Sequence, residues 1–457
     1  MRADRSKLPA LGPDPRFLFP EIRRHTLANG VRVSTVEHRE VPLVSALALI
    51  PFGAAADPAG HPGLAAITGD LLDEGCGDLD ALGLHDALAR IGAQLETEVG
   101  ADATLLGVTA LARFAPRALA LLADLVTRPR LERAEFDRVR DLRLNRLMQL
   151  REMPPALAER AFVSLLYRDH PYGHLPIGTE PSLRAMVVEE VQRFHAEVYQ
   201  PPHLTVIVVG DAGHDRLAGL VDGAFGAWRS TATANPSLSA DASAVPPPPS
   251  ARVSLVHRPG AAQSELRIGH VSVPRSTPDY HALLVLNLVL GGQFVSRVNM
   301  NLREDKGYTY GARTSFDFRR GPGPFVLQAS VQSDATAAAV RESLRELTAI
   351  RGDRPVTREE LELGRAGLTR GYPRNFETAD QLGRAAAQLA LYGLPDDYFT
   401  TFVPRVLALS EHDVTEVAQK HIDPSRLATI IVGDRDKAGP GLGELGLGEM
   451  VEASLDE

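Results

Sequence analysis

Cysteine is almost absent from this sequence: Cys76 is the only one. A single thiol excludes an internal disulfide and any cysteine-based zinc or iron–sulfur site. With no base or cation arranged around it in sequence, Cys76 reads as an inert small side chain. Lysine is nearly as scarce, at positions 7, 306, 420 and 437 only, and arginine carries the rest of the positive charge. We read that as coding bias without functional content. The net charge is -9 and no basic stretch dominates, which argues against nucleic acid as a partner. The first 22 residues hold charge and proline but no apolar core of the kind a secretory signal needs. No run approaches the roughly 18 apolar residues of a membrane span. The expectation is a cytoplasmic protein, with a periplasmic location open if a signal is missing from the sequence. What is present is 457 residues with 44% hydrophobic and 23% charged side chains, enough for a large buried core.

The strongest internal signal is a repeat. Residues 190–211 read EVQRFHAEVYQPPHLTVIVVGD and residues 413–434 read DVTEVAQKHIDPSRLATIIVGD. Val191 matches Val414, Pro201 matches Pro424, Leu204 matches Leu427, and Gly210-Asp211 matches Gly433-Asp434, all at one offset. Each copy is a helix, a proline turn and an apolar strand. Between them, residues 229–251 are rich in Ser, Ala, Thr and Pro, with four consecutive prolines at 246–249, and read as a linker. The expected organisation is an N-terminal extension (1–21), a first domain (22–228), the linker (229–251), a second domain (252–436) and a loosely packed, acidic, Gly-rich tail (437–457). Asn29-Gly30 marks a turn before a strand at 31–36. Further strands are expected at 43–50, 104–110, 253–257, 266–271 and 325–331, with helices at 116–126 and 341–350. Strand pairs followed by helices predict an α+β fold: two homologous domains, each a mostly antiparallel sheet with helices packed on one face.

Residues 62–75 read PGLAAITGDLLDEG, and Leu64, Ile67 and Leu71 share one helical face. This stretch resembles the active-site helix of the insulinase–pitrilysin family of zinc peptidases, which includes the mitochondrial processing peptidases. There H-x-x-E-H places two zinc-binding histidines on one face and a glutamate that activates the metal-bound water. Here Ala66 stands for the first histidine, Gly69 for the glutamate and Asp70 for the second histidine. The third ligand, a downstream glutamate, falls on Arg146, with Asn145 next in line if the register slips. The resemblance therefore implies a degenerate zinc site and no metal in this chain, and we expect an Asp70–Arg146 ion pair in the vacant position. His170 and His174 lie in the turn HPYGH, matched by a similar H-P-Y-G … G-T turn in the family at Gly178-Thr179, and are read as structural. His195 and His203 bracket the repeat's proline turn and offer no replacement site.

The second half keeps more. Residues 290–313, LGGQFVSRVNMNLREDKGYTYGAR, closely resemble the family's C-terminal segment, L-G-G … S-R-L … L-R-E-x-x-G-x-x-Y. The resemblance implies that Arg303 and Tyr310 are donors that bind the substrate backbone and stabilise an oxyanion. It extends through Asn375–Thr378, Gln381 and the 393–398 run. The implied function is that of a non-catalytic, substrate-binding subunit of a heterodimeric zinc metalloendopeptidase. Zinc would be bound by a homologous partner subunit and peptides would be the substrates; a homodimer is also possible. The alternative is a catalytically inactive structural or peptide-binding homologue.

Overall fold

Strand Leu43–Ile50 reads LVSALALI, and every residue from Val44 to Ile50 is buried. Thr205–Gly210 and Ala428–Gly433 are buried along their whole lengths as well. Strands without polar alternation need cover on both faces. The computed structural model, which describes residues 17–230, 242–249, 252–448 and 450–452, supplies that cover. Residues 1–16 of the expected extension, 231–241 and 250–251 of the expected linker, and 453–457 of the tail lie outside the described residues.

Two six-stranded sheets form the frame. The first has the spatial order Ile22–Thr26, Arg32–Glu37, Thr205–Gly210, Leu43–Ile50, Thr104–Leu111, Gln94–Val99. The second runs Thr309–Phe316, Pro324–Gln332, Gln263–Val271, Ala428–Gly433, Val253–His257, Met450–Glu452. Neighbours are antiparallel except where the repeat strands Thr205–Gly210 and Ala428–Gly433 lie parallel to Arg32–Glu37 and Val253–His257, and where Met450–Glu452 lies parallel to Val253–His257. The sheets thus repeat one design, as the sequence repeat predicts.

Each sheet is covered on one face by helices of its own half and on the other by a helix from the opposite half. Val44, Ala46, Ala48 and Ile50 face the first half's own core. Leu47 and Leu49, pointing the other way, pack with the helix Ala379–Tyr392 of the second half. Gly383 lets that helix approach, since a Cβ there would lie 2.8 Å from Leu47 Cδ1. In return, the helix Pro154–Tyr167 of the first half covers Ala428, Ile430 and Val432 of the second. The sequence pointed to helices on one face only; the exchanged helices explain why the central strands are apolar throughout.

One expectation is corrected. The described part of the segment after Lys437 is anchored: Ala438, Leu442 and Leu447 are buried, and Met450–Glu452 adds a strand to the second sheet. One helical run, Tyr280–Asp305, passes a length-and-hydropathy test for a membrane span, with mean hydropathy 1.3 over its best window, but packs as a core helix. Of that window 61% is buried, and Leu283, Leu286 and Leu290 lie in the second half's core.

His270, in the Gln263–Val271 strand, gives the fold a pH dependence. Its Nδ1 lies 2.9 Å from Val271 O, and its Nε2 accepts the Asp423 N–H at 3.2 Å. That pair of partners suits the neutral ring only. Burial lowers its pKa from 6.5 to about 4, against the opposing pull of the Val271 carbonyl. The unfolded chain therefore takes up a proton below pH 6.5 that the folded chain refuses. Stability from this group is complete above pH 6.5 and falls by about 1.4 kcal/mol per pH unit down to about pH 4. Thermal unfolding of the wild type and His270→Gln between pH 7 and 4 checks it: the variant should show a shallower acid decline.

Candidate functional site

The helix Leu64–Leu71 starts at Gly63, whose φ of +99° only glycine adopts without strain. The buried Asp57 carboxylate accepts the Gly63 and Ala65 N–H groups at 2.6 and 2.7 Å, satisfying two orphan donors of the helix start. His174, from the HPYGH turn, holds that carboxylate with Nε2 3.0 Å from Asp57 Oδ2. The Gly178-Thr179 turn packs directly on the helix entry: a Cβ on Gly63 would meet Gly178 Cα at 2.9 Å. Ser182 Oγ donates to Pro62 O at 2.9 Å. The histidine-bearing turn therefore supports the helix. His195 Nε2 and His203 Nδ1 pair with the Val126 and Val198 carbonyls and play similar structural parts. Cys76 is buried, and burial pushes its thiol up to about 11, so no thiolate forms near neutral pH.

The helix itself carries no set of metal donors. Ala66 is buried and offers none. Gly69 is also buried, and a Cβ there would stand 2.6 Å from Val99 Cγ2 on the sheet-edge strand Gln94–Val99. Helix and edge strand are thus in direct contact where a general base and its water would need room. Asp70 pairs with Arg143, not Arg146: Arg143 Nε lies 2.7 Å from Asp70 Oδ2. Arg146, one turn along, is exposed and donates to Gln149 Oε1 at 3.2 Å. The expected Asp70–Arg146 pair is corrected to Asp70–Arg143. The signal was in the sequence. The packed face of the Arg133–Arg151 helix runs Phe136, Val139, Arg143, Leu147, and Arg146 lies off it.

Arg143 ties three segments together. Its guanidinium joins Asp70 of one helix to the Pro176 and Ile177 carbonyls, each at 3.3 Å, from a helix of its own. Three segments converge on one cation. A zinc ion does not fit these residues: two positions lack donors and the remaining carboxylate faces a guanidinium. Among the described residues, no group of three or more His, Cys, Asp or Glu side chains could hold a metal ion. Arg143→Ala removes the ion pair, both carbonyl contacts and the packed stem, and should lower stability by about 1–3 kcal/mol. Urea unfolding measures it, with Arg146→Ala, within about 0.5 kcal/mol of the wild type, as the control.

In the second half the two arginines of the SR…LRE pattern part company. Arg297 is buried, pairs with Glu360 at 2.6 Å and donates to the Pro355 carbonyl at 2.9 Å, which makes it a structural clamp. Arg303 is half-exposed, lies 3.2 Å from Glu304 and has its guanidinium carbon 4.6 Å from the Phe294 ring centroid. Tyr310 is 89% exposed. It sits in a β-bulge: Thr309 pairs with Val331 and Ala312 with Ala329, so Tyr310 and Gly311 together oppose Ser330. A bulge re-aims the side chains it carries. Arg303's partners all lie in its own half, and Tyr310 projects into solvent, so neither completes the 64–71 site of this chain.

Residues 32–180 match the family model described as insulinase, peptidase family M16, and residues 185–368 match the peptidase M16 inactive domain. The chain belongs to the insulinase family. A protein described as an uncharacterized zinc protease of Mycobacterium bovis is 26% identical over 367 residues, covering 79% of this insulinase-family chain and 83% of that one. A probable mitochondrial-processing peptidase subunit beta of Schizosaccharomyces pombe is 22% identical over 208 residues, 46% of either chain. Two solved structures share the fold. A protease from Helicobacter pylori aligns with TM-score 0.85 at 20% identity over 91% of this chain and all of that one. A peptidase M16 inactive domain from Pseudomonas fluorescens aligns with TM-score 0.83 at 22% identity over 91% and 98%.

Proposed function

We propose that this insulinase-family chain is the non-catalytic, substrate-binding subunit of a heterodimeric zinc endopeptidase. It supplies Arg303 and Tyr310 to the active site of a zinc-bearing homologous partner. The observation that carries this reading is the contrast between the halves. Asp70, the one carboxylate at the degenerate zinc-site positions, is paired with Arg143, while Tyr310 stands 89% exposed on a bulge in the segment that carries Arg303. The half-exposed guanidinium, paired only with the surface carboxylate of Glu304, and the exposed phenol are donors that another chain could engage. Aimed at a peptide carbonyl in another chain's cleft, they would bind the extended backbone and steady the negative charge that grows on that oxygen during hydrolysis. Zinc in the partner would supply the activated water. Exposed Phe294, whose ring lies against the Arg303 guanidinium, and its exposed neighbour Val295 suit contact with a partner or a peptide.

A second reading, a structural or peptide-binding homologue with no proteolytic role, draws on the Arg303–Glu304 ion pair, which already occupies the guanidinium. Co-purification with the zinc-bearing relative separates the two. The first reading expects a one-to-one complex with one zinc per pair and peptide hydrolysis. The second expects neither the complex nor any gain in hydrolysis.

A further inference from the structure

Arg303 and Tyr310 lie on different elements, and two small polar side chains bond the backbone near them. Asn299 is 4% exposed in the short helix Arg297–Asn299. Its Nδ2 donates to Phe294 O at 2.7 Å, and its Oδ1 accepts the Ala312 N–H at 3.1 Å. One buried amide therefore ties the loop whose Phe294 ring lies against the Arg303 guanidinium to the bulged strand that presents Tyr310. Thr309 shapes the bulge. Its Oγ1 accepts the Gly311 N–H at 3.1 Å and donates to Ser330 O at 2.6 Å, so a side chain takes over hydrogen bonds the sheet ladder drops at the extra residue. None of these bonds involves Arg303 or Tyr310 directly.

We infer that Asn299 and Thr309 are positioning residues, which fix the Phe294 loop and the 309–312 bulge in one arrangement so that Arg303 and Tyr310 are presented together. This rests on the proposed function only for its catalytic consequence; the structural part stands by itself. An isosteric Asn299→Asp keeps an acceptor for Ala312 but turns the donor to Phe294 O into a second oxygen. Thr309→Val keeps the shape and leaves Gly311 N–H and Ser330 C=O without their side-chain partner.

The test has two readouts on the full-length chain. Hydrogen exchange of a peptide spanning 308–313, measured on this chain alone, should rise about tenfold in Thr309→Val with the rest of the protein unchanged. Unchanged exchange overturns the inference, whatever the function proves to be. In the complex with the zinc-bearing relative, Thr309→Val should lower kcat about tenfold with KM little changed, and should lower it no further in a Tyr310→Phe background, because the two act as a unit. Additive losses, or an unaffected kcat while Tyr310→Phe is impaired, overturn the positioning role. If Tyr310→Phe and Arg303→Ala both leave the complex fully active, the proposed function fails, and the exchange measurement still decides whether Thr309 holds the bulge.

Discussion

Replacing Arg303 by Ala in the paired complex is expected to lower kcat/KM for peptide hydrolysis about 100-fold or more, with the fall mainly in kcat. The magnitude follows from removing one preorganised donor from developing negative charge, which costs about 100–1000-fold in kcat where it has been isolated. Tyr310→Phe removes a single hydroxyl and should cost less, about tenfold to 100-fold. Neither change should disturb the fold. Arg303 is half-exposed with a surface ion pair, and Tyr310 is 89% exposed, so the stability effects belong to the surface class, about 0.5 kcal/mol or less. Steady-state kinetics of the reconstituted pair, with unfolding midpoints as control, measure both. Equal activity of wild type and Arg303→Ala would remove the role assigned to the second half.

The second large effect lies in the first half. Gly69→Glu, the substitution that restores the family's general base, should destabilise the chain by about 3 kcal/mol or more and restore no hydrolysis. A helical glycine replaced by a residue with a Cβ usually gains about 1 kcal/mol of propensity. Here that gain is outweighed. The new Cβ would stand 2.6 Å from Val99 Cγ2, a stiff β-branched side chain on a paired strand, and overpacking of that sort costs about 1–3 kcal/mol. A carboxylate buried beside it without a cation adds a further penalty of a few kcal/mol. Gly69→Ala isolates the steric part and should lose less than Glu. Chemical denaturation of the two variants tests the ordering; a Gly69→Glu protein as stable as the wild type would mean that helix and strand do not meet there.

Much of this was legible in the sequence, and for physical reasons. The repeat strands ending at Gly210 and Gly433 announce themselves because both are buried on two faces and must be apolar throughout. Zinc coordination demands particular donors at particular helical spacing, and Ala66 and Arg146 are not such donors, which is a statement the sequence makes on its own. The partner of Asp70 was missed although its signal was present: Phe136, Val139 and Leu147 mark the packed face of the helix, and Arg143, not Arg146, lies on it. The exchanged helices were invisible because amphipathicity shows that a helix has an apolar face, not whose sheet it covers. The strand in the 437–457 tail was missed because Gly-rich composition outweighs three residues whose stability comes from a neighbouring strand. The bulge that presents Tyr310 depends on Thr309 side-chain bonds that composition and motif spacing do not encode.

On the function proposed above, this chain lends binding groups to a site whose metal sits in another chain. Titrating it into its zinc-bearing relative, at fixed relative and fixed peptide concentration, tests that claim most directly. The prediction is no hydrolysis by this chain alone, and activity that rises with added chain and saturates at one equivalent. Peptide hydrolysis by this chain alone, purified free of the relative and abolished by a chelator, would contradict it.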